Sequence, residues 1–296
     1  MRACVIYNPY AKGQKAERFR ELLSTIASEA TLKQTTGPRD ARRLATQAVT
    51  DGCETIIAAG GDGTLNEVLN GIADAPDGFA KARLGVLPLG TVNVFARELG
   101  IPHSPQAAWK VLRDAKEQTI DVGVIENGEG SERQRIYFAQ LAGAGLDARA
   151  IELVDWSVKK QVGSLAYIWA GLKAMNGKQT NFLVSDGVRS VRGQLALVGN
   201  GRLYGGRYRV FPKAKFNDGK LDVCIFTKVD WPTLFRCGIS LVLLGKVPEK
   251  CVVRMQSNSF TFIGKDDTRF EVDGELGGKL PARFSVQPNA LRVLTR

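Results

Sequence analysis

The sequence is poor in the residues that serve most often in metal and proton chemistry. It holds one histidine, His103, and five cysteines at 4, 53, 224, 237 and 251, with no C-x-x-C pair. Neither a zinc-ligand spacing nor a Ser-His-Asp arrangement can be built from these. His103 follows Gly-Ile-Pro and is expected at the surface, so proton chemistry near neutral pH falls to a carboxylate, a lysine or a metal-bound water. The odd, unpatterned cysteine count suits a reducing cytosol, each thiol acting as a small hydrophobe. Long apolar runs are also missing. The longest, CGISLVLLG at 237–245 and SLAYIWAGLKAM at 164–175, are too short or too interrupted for the ~18 residues of a membrane span. The opening MRACVIYNP runs straight into a strand-like segment, so no signal peptide is expected. Neither G-x-x-x-x-G-K-[ST] nor G-x-G-x-x-G occurs, which disfavours a Walker-type site and a dinucleotide oxidoreductase.

What is present is ordinary globular composition, 44% hydrophobic and 24% charged, in 296 residues, a length that favours two domains. Residues 1–125 alternate strand and helix patterns. ACVIY, ATLKQTT, ETIIAAG and ARLGVLPLG read as strands; AERFRELLSTIASEA, PRDARRLATQAVTDG, TLNEVLNGIAD, VNVFAREL and SPQAAWKVLRDAK read as helices. Such alternation predicts a doubly wound α/β domain with a parallel sheet, which binds ligands beyond the carboxyl ends of its strands. Residues 126–285 are instead short strands parted by Gly, Asn and Asp turns, the pattern of an all-β antiparallel sandwich. Helical inserts are expected at 150–176 and at about 231–246, the latter opened by Asp230-Trp-Pro. The last strand, about 286–296, is expected to pack on either domain.

IIAAGGDGTLNEVLNG, residues 56–71, carries the sharpest local signal. A buried strand meets a glycine turn and then a helix start, whose N–H groups and partial positive charge form a phosphate cradle. Asp62 would repel phosphate there unless a cation lay between them, so it is read as a Mg²⁺ contact beside a nucleotide. The plainer reading is a helix N-cap, although Thr64 with Glu67 three residues on can supply that as a capping box. Two further loops, NPYAKG at 8–13 and Pro88–Thr91, are expected on the same sheet edge.

NPYAKG, GGDGTLNEVLNG and PLGTVNVFARELGIP, together with NDGKLDV and EVDGELGG, resemble the diacylglycerol kinase catalytic-domain family, a group also similar to sphingosine and ceramide kinases. The resemblance covers nearly the whole chain. It implies ATP- and Mg²⁺-dependent phosphorylation of a lipid hydroxyl, most naturally of diacylglycerol, in a cleft between two domains. By position it implies nucleotide binding at Asn8, Pro9, Tyr10, Ala11, Lys12, Thr35, Gly60, Gly61, Asp62, Gly63, Thr64, Leu65, Asn66 and Thr91. It implies Glu275 as proton acceptor with Asp273 beside it, and a structural Mg²⁺ site at Lys215, Asp218 and Lys220, the lysines serving only through their carbonyls. Asp218-Gly219 and Asp273-Gly274 are equally strong hairpin signals. One departure stands out: many members of the family it resembles carry an acidic residue where this chain has Val94, so that either Asp62 and Asp121 suffice, the chain takes another lipid, or activity is lost.

Charge is uneven. Residues 1–130 hold 15 basic and 16 acidic side chains, and 131–296 hold 26 and 14, so the +11 resides in the second part. That favours an anionic partner, a transiently bound membrane surface carrying the lipid substrate, over nucleic acid, for which no motif is present. The segment 154–175, with Trp156, Lys159, Lys160, Tyr167 and Trp169, is expected to line the lipid entrance or, equally, to pack in the core. The expected location is cytoplasmic and peripheral to the membrane, and exposed sandwich edges allow a homodimer. An NAD kinase-like enzyme and a silent nucleotide- or lipid-binding regulator are the alternatives.

Overall fold

The structure, a computed structural model, describes residues 2–9, 14–130, 133–146, 148, 181–264 and 268–296. The expected helix over 150–176 and the residues Tyr10, Ala11 and Lys12 lie outside these. The chain divides into unit 1, Met1–Val122 with Pro288–Arg296, and unit 2, Gly123–Gln287.

Unit 1 contains β1 (Ala3–Tyr7), α1 (Gln14–Glu29), β2 (Thr31–Gln34), α2 (Asp40–Thr50), β3 (Thr55–Gly60), α3 (Asp62–Asp74), α4 (Gly78–Lys81), β4 (Arg83–Pro88), α5 (Val94–Glu98), α6 (Pro105–Arg113) and the start of β5 (Lys116–Asn127). The strands run parallel in the order β2-β1-β3-β4. β3 is buried at every position, because helices must cover both faces of a parallel sheet. α2 buries Ala41, Leu44, Ala45, Ala48 and Val49, one helical stripe, against α3. Gly71 permits that approach, since a Cβ there would lie 2.1 Å from the Arg42 carbonyl oxygen. The single turn α4 was not read from the sequence, being too short to show a period.

Unit 2 contains β6 (Gln134–Phe138), β7 (Leu141–Gly145), β8 (Phe182–Ser185), β9 (Ser190–Gly193), β10 (Leu195–Gly199), β11 (Leu203–Tyr204), β12 (Tyr208–Arg209), β13 (Leu221–Phe226), α7 (Trp231–Leu244), β14 (Val253–Ser257), β15 (Ser259–Gly264), β16 (Arg269–Val272), β17 (Glu275–Lys279) and the first part of β18 (Ala282–Thr295). One antiparallel sheet runs β14-β13-β10-β7-β16-β17. Alternate residues of it, among them Ala142, Ala144, Ala196, Val198, Val223 and Val272, share a core with Phe182, Phe260, Phe262 and Phe284 of the facing strands. That is the sandwich expected from the period-2 pattern. The other face of the sheet (Leu195, Leu197, Cys224, Phe226) packs on Val210, Phe211 and Cys237, the last from α7.

ARFSVQP and NALRVLTR, read from the sequence as two strands, form the single strand β18. Its end pairs parallel with β4, Arg292 opposite Arg83 and Val293 opposite Leu84. All five cysteines are free thiols. Among the described residues no helix is long and apolar enough to cross a membrane.

Candidate functional site

In unit 1 the parallel strands β1, β3 and β4 deliver their following loops to one sheet edge. Asn8 and Pro9, Gly61 and Leu89–Thr91 therefore gather there, as the spacing implied. The Asn8 N–H donates to the Ala59 carbonyl at 3.3 Å, and the Thr35 N–H to the Tyr7 carbonyl at 2.9 Å. The second and third loops are stitched together through their backbones. The N–H groups of Leu89 and Gly90 both donate to the Gly60 carbonyl, at 2.9 and 3.2 Å. A Cβ on Gly90 would lie 2.5 Å from the Gly61 Cα, so the contact demands glycine. Asn93, left-handed at φ 51°, clamps the loop by accepting from the Gly90 N–H and donating to the Gly90 carbonyl.

Gly61 precedes α3 with no side chain of its own to cap it, and the positive end of the helix lies at this edge, the Asp62 amide being taken by the Asp62 carboxylate. Thr64 folds back over Gly60, where a Cβ would meet its side chain at 2.5 Å. Thr91 is exposed beside this edge, while Leu65 turns into the core and Asn66 supports Asn70.

Two carboxylates of α3 have duties other than those expected. Asp62 was read as a magnesium contact. Its Oδ1 accepts the Val94 N–H at 2.8 Å, so it caps α5, and the carboxylate also takes its own amide at the start of α3. Burial pushes its carboxyl above the ordinary value, and the amides of Val94, Asn93 and Phe95 pull it back. Through Oδ1, Asp62 ties the start of α5 to this turn. Glu67 was read as the partner of Thr64 in a capping box. It accepts instead from the N–H groups of Arg39 and Ala41, both at 3.0 Å, and so caps α2. Asp121, expected to make good the missing acid at 94, is buried and accepts the Asn289 N–H at 2.7 Å. Val94 itself is buried, where a second carboxylate would sit beside Asp62.

In unit 2, Asp273 and Gly274 form a two-residue turn with φ of 46° and 90°, and Val272 pairs with Glu275 across it. That is the Asp-Gly hairpin geometry. Asp273, expected to stand beside the base, is buried: it accepts the N–H groups of Leu141 at 3.0 Å and Ala139 at 3.3 Å. It thus clamps the β6–β7 connection. Glu275, next along the turn, is exposed. Glu271, Gln140 and Asn200 were missed in the sequence. Glu271 accepts the Gly274 N–H at 2.8 Å, Asn200 donates to the Ala139 carbonyl at 2.8 Å, and Gln140 donates to the Leu203 carbonyl at 2.9 Å. Of the three only Glu271 lies within a strand, β16, while Gln140 and Asn200 stand just beyond the ends of β6 and β10.

Lys215, Asp218 and Lys220 line a cavity of about 590 Å³ together with Arg202, Lys213 and Gln256. Asp218 accepts the Lys220 N–H at 3.1 Å, the turn geometry also allowed for by the sequence. Gln256 Nε2 is 3.1 Å from an Asp222 oxygen and 3.5 Å from an Asp218 oxygen. Burial, and then Asp218, raise the Asp222 carboxyl above its ordinary value. Among the described residues no group of three or more His, Cys, Asp or Glu gathers at this turn, so an ion here would rest on the Asp218 carboxylate and backbone carbonyls.

Comparison with known proteins bears on both units. Residues 2–125 match the model described as the diacylglycerol kinase catalytic domain. Residues 140–295 match the YegS C-terminal NAD kinase beta sandwich-like domain. A diacylglycerol kinase of Staphylococcus epidermidis is 30% identical over 99% of this chain and 92% of its own length. A probable lipid kinase YegS-like of Pseudomonas aeruginosa is 36% identical over 86% of this chain and 80% of its own. The solved structure of a diacylglycerol kinase from Bacillus anthracis superposes with a TM-score of 0.79 at 22% identity, over 100% of this chain and 97% of that one. A yeast NADH kinase complexed with NADH shares the fold more loosely, with a TM-score of 0.57 at 9% identity over 100% of this chain and 84% of that one.

Proposed function

Because the chain belongs to the diacylglycerol kinase catalytic-domain family, and is thus a lipid kinase, we propose that it transfers the γ-phosphoryl group of ATP to the hydroxyl of diacylglycerol or a closely related lipid. The observation that carries the reading is the backbone-stitched pair of glycine loops at the N-terminus of α3. The N–H groups of that turn hold the nucleotide phosphates, and Asn8, Pro9, Thr35, Thr64 and Thr91 surround them. Asp62 keeps the turn in shape by holding α5 to it. Glu275 takes the proton of the attacking hydroxyl, the one exposed carboxylate of the Asp-Gly turn and a suitable base in a chain whose single histidine has no ligand pattern. Magnesium neutralises charge on the phosphates when bound with ATP. A second, structural ion would be held by the Asp218 carboxylate and nearby carbonyls, including those of Lys215 and Lys220.

The enzyme works from the cytoplasm at a membrane surface, where its lipid resides. Thin-layer chromatography of total lipid incubated with the protein and γ-labelled ATP tests the reading, with NAD offered as acceptor in a parallel tube. Label in a lipid spot supports it. Label in NADP, or nucleotide binding with no labelled product, sinks it in favour of the NAD kinase-like or silent alternatives.

A further inference from the structure

α7 was read from the sequence only as a helical insert. Its inner face meets the core through Cys237, with Leu234 and Leu241 packed alongside. Its outer face is apolar too. Trp231, Phe235, Ile239 and Leu243 follow one another at four-residue spacing and are 54%, 71%, 44% and 74% exposed, with Leu244 at 66%. These are five of the eight large exposed hydrophobic side chains among the described residues. A helix apolar on every side belongs in a core or in lipid, so this outer face lacks its solvent.

Charge around the stripe names the partner. Arg236 is the one charged residue within α7 and is exposed. The C-terminal end is flanked by exposed Lys246 and Lys250, and by the β11–β12 hairpin, whose Arg209 N–H donates to the Gly245 carbonyl at 2.8 Å. That hairpin presents exposed Arg207 and Arg209 and no acid. The two acids nearby, Asp230 and Glu249, are paired with Lys228 at 2.8 Å and Arg254 at 3.2 Å. An apolar ridge edged by cations matches a leaflet of anionic phospholipid, whose acyl boundary takes the ridge and whose headgroups take the rim.

We propose that the outer face of α7 is the membrane-docking surface, its four-residue stripe seated in the acyl boundary and its basic edge on anionic headgroups. The proposal rests on the lipid-kinase reading for its purpose, though not for its geometry. The 154–175 segment, expected from the sequence to line the lipid entrance or, equally, to pack in the core, lies outside the described residues.

The test is co-sedimentation of the full chain with phosphatidylcholine vesicles, with and without phosphatidylglycerol. Wild type should sediment with the anionic vesicles, and Phe235→Ser/Leu243→Ser should lose about tenfold or more in partition. Its turnover of diacylglycerol dispersed in detergent micelles should stay within about twofold, as expected for exposed substitutions. Arg236→Glu/Lys246→Glu should weaken the preference for anionic lipid while Arg236→Lys keeps it. Unchanged sedimentation of the double-serine variant overturns the proposal. So does loss confined to Lys159→Glu/Lys160→Glu, or a wild-type dimer that the serine variant turns into a monomer without any vesicle binding. Vesicle binding that depends on α7, with no lipid phosphorylated, supports docking and strikes only the kinase reading.

Discussion

Asp62, at the start of α3, and Asp273, at the tip of the β16–β17 turn, occupy glycine turns of opposite construction. In the first, a strand passes into a helix between parallel neighbours, and Gly61 brings no side chain to the helix start. In the second, two antiparallel strands meet, and Val272 pairs with Glu275 directly across the turn. Each aspartate holds backbone amides of a distant segment, Asp62 those before α5 and Asp273 those between β6 and β7. What remains to do chemistry therefore differs. Unit 1 offers backbone donors that need a bare chain, whereas unit 2 offers one exposed side chain, Glu275. The first site should resent an added Cβ at Gly90, and the second the loss of the Glu275 carboxylate.

The strongest challenge to this contrast is Glu275→Gln. Loss of a general base should lower kcat by roughly 10²–10⁴, with the thermal melt unmoved because the residue is exposed. Full turnover in the glutamine variant would remove the side-chain role from unit 2. Asp273→Ala should behave oppositely, as a stability variant. Two amides would be left inside the protein without their carboxylate, at a cost of about 3 kcal/mol in a urea titration.

Backbone dependence in unit 1 is probed by Gly90→Ala. Its Cβ would arrive 2.5 Å from the Gly61 Cα, so the loops must part. A loss of about 2 kcal/mol is expected, with weaker ATP binding by calorimetry. Gly61→Ala meets its nearest atom only at 3.4 Å and should be milder. Equal effects would mean that the loop contact is not what shapes the cradle.

Acid titration gives the smallest and subtlest comparison. Burial raises Asp62, so the folded chain keeps that proton longer than the unfolded one, and the contribution falls as pH climbs past 3.8. Glu126 of the β5–β6 hairpin is lowered chiefly by its hydrogen bond with Arg135, helped by Arg133. Its contribution is full above 4.5 and fades as pH drops through the folded value. Relative to wild type, Asp62→Asn should therefore gain stability as pH rises, and Glu126→Gln should lose up to about 0.5 kcal/mol. Parallel curves in urea melts across the acid range would contradict the opposite signs.

Much of the architecture was legible without coordinates. The 3.6-residue stripes of α2 and α3, the unbroken apolar run of β3 and the period-2 strands after 126 dictate a parallel sheet followed by a sandwich, because solvent must be excluded from those faces and no others. Glycine turns at 60–63 and 273–274 were likewise marked by their own residue types. Hydrogen-bond destinations were not. Asp62 and Glu67 look like caps of the helix that carries them, yet their partners lie 32 and 28 positions away, and Asp273 reaches back more than 130. A carboxylate accepts any N–H that the fold brings within about 3 Å, and only the packed chain decides which one arrives. The same holds for α7: residues apolar on every side state that the helix dislikes water, while the single core face available to it determines that Phe235 and Leu243 are the ones left outside.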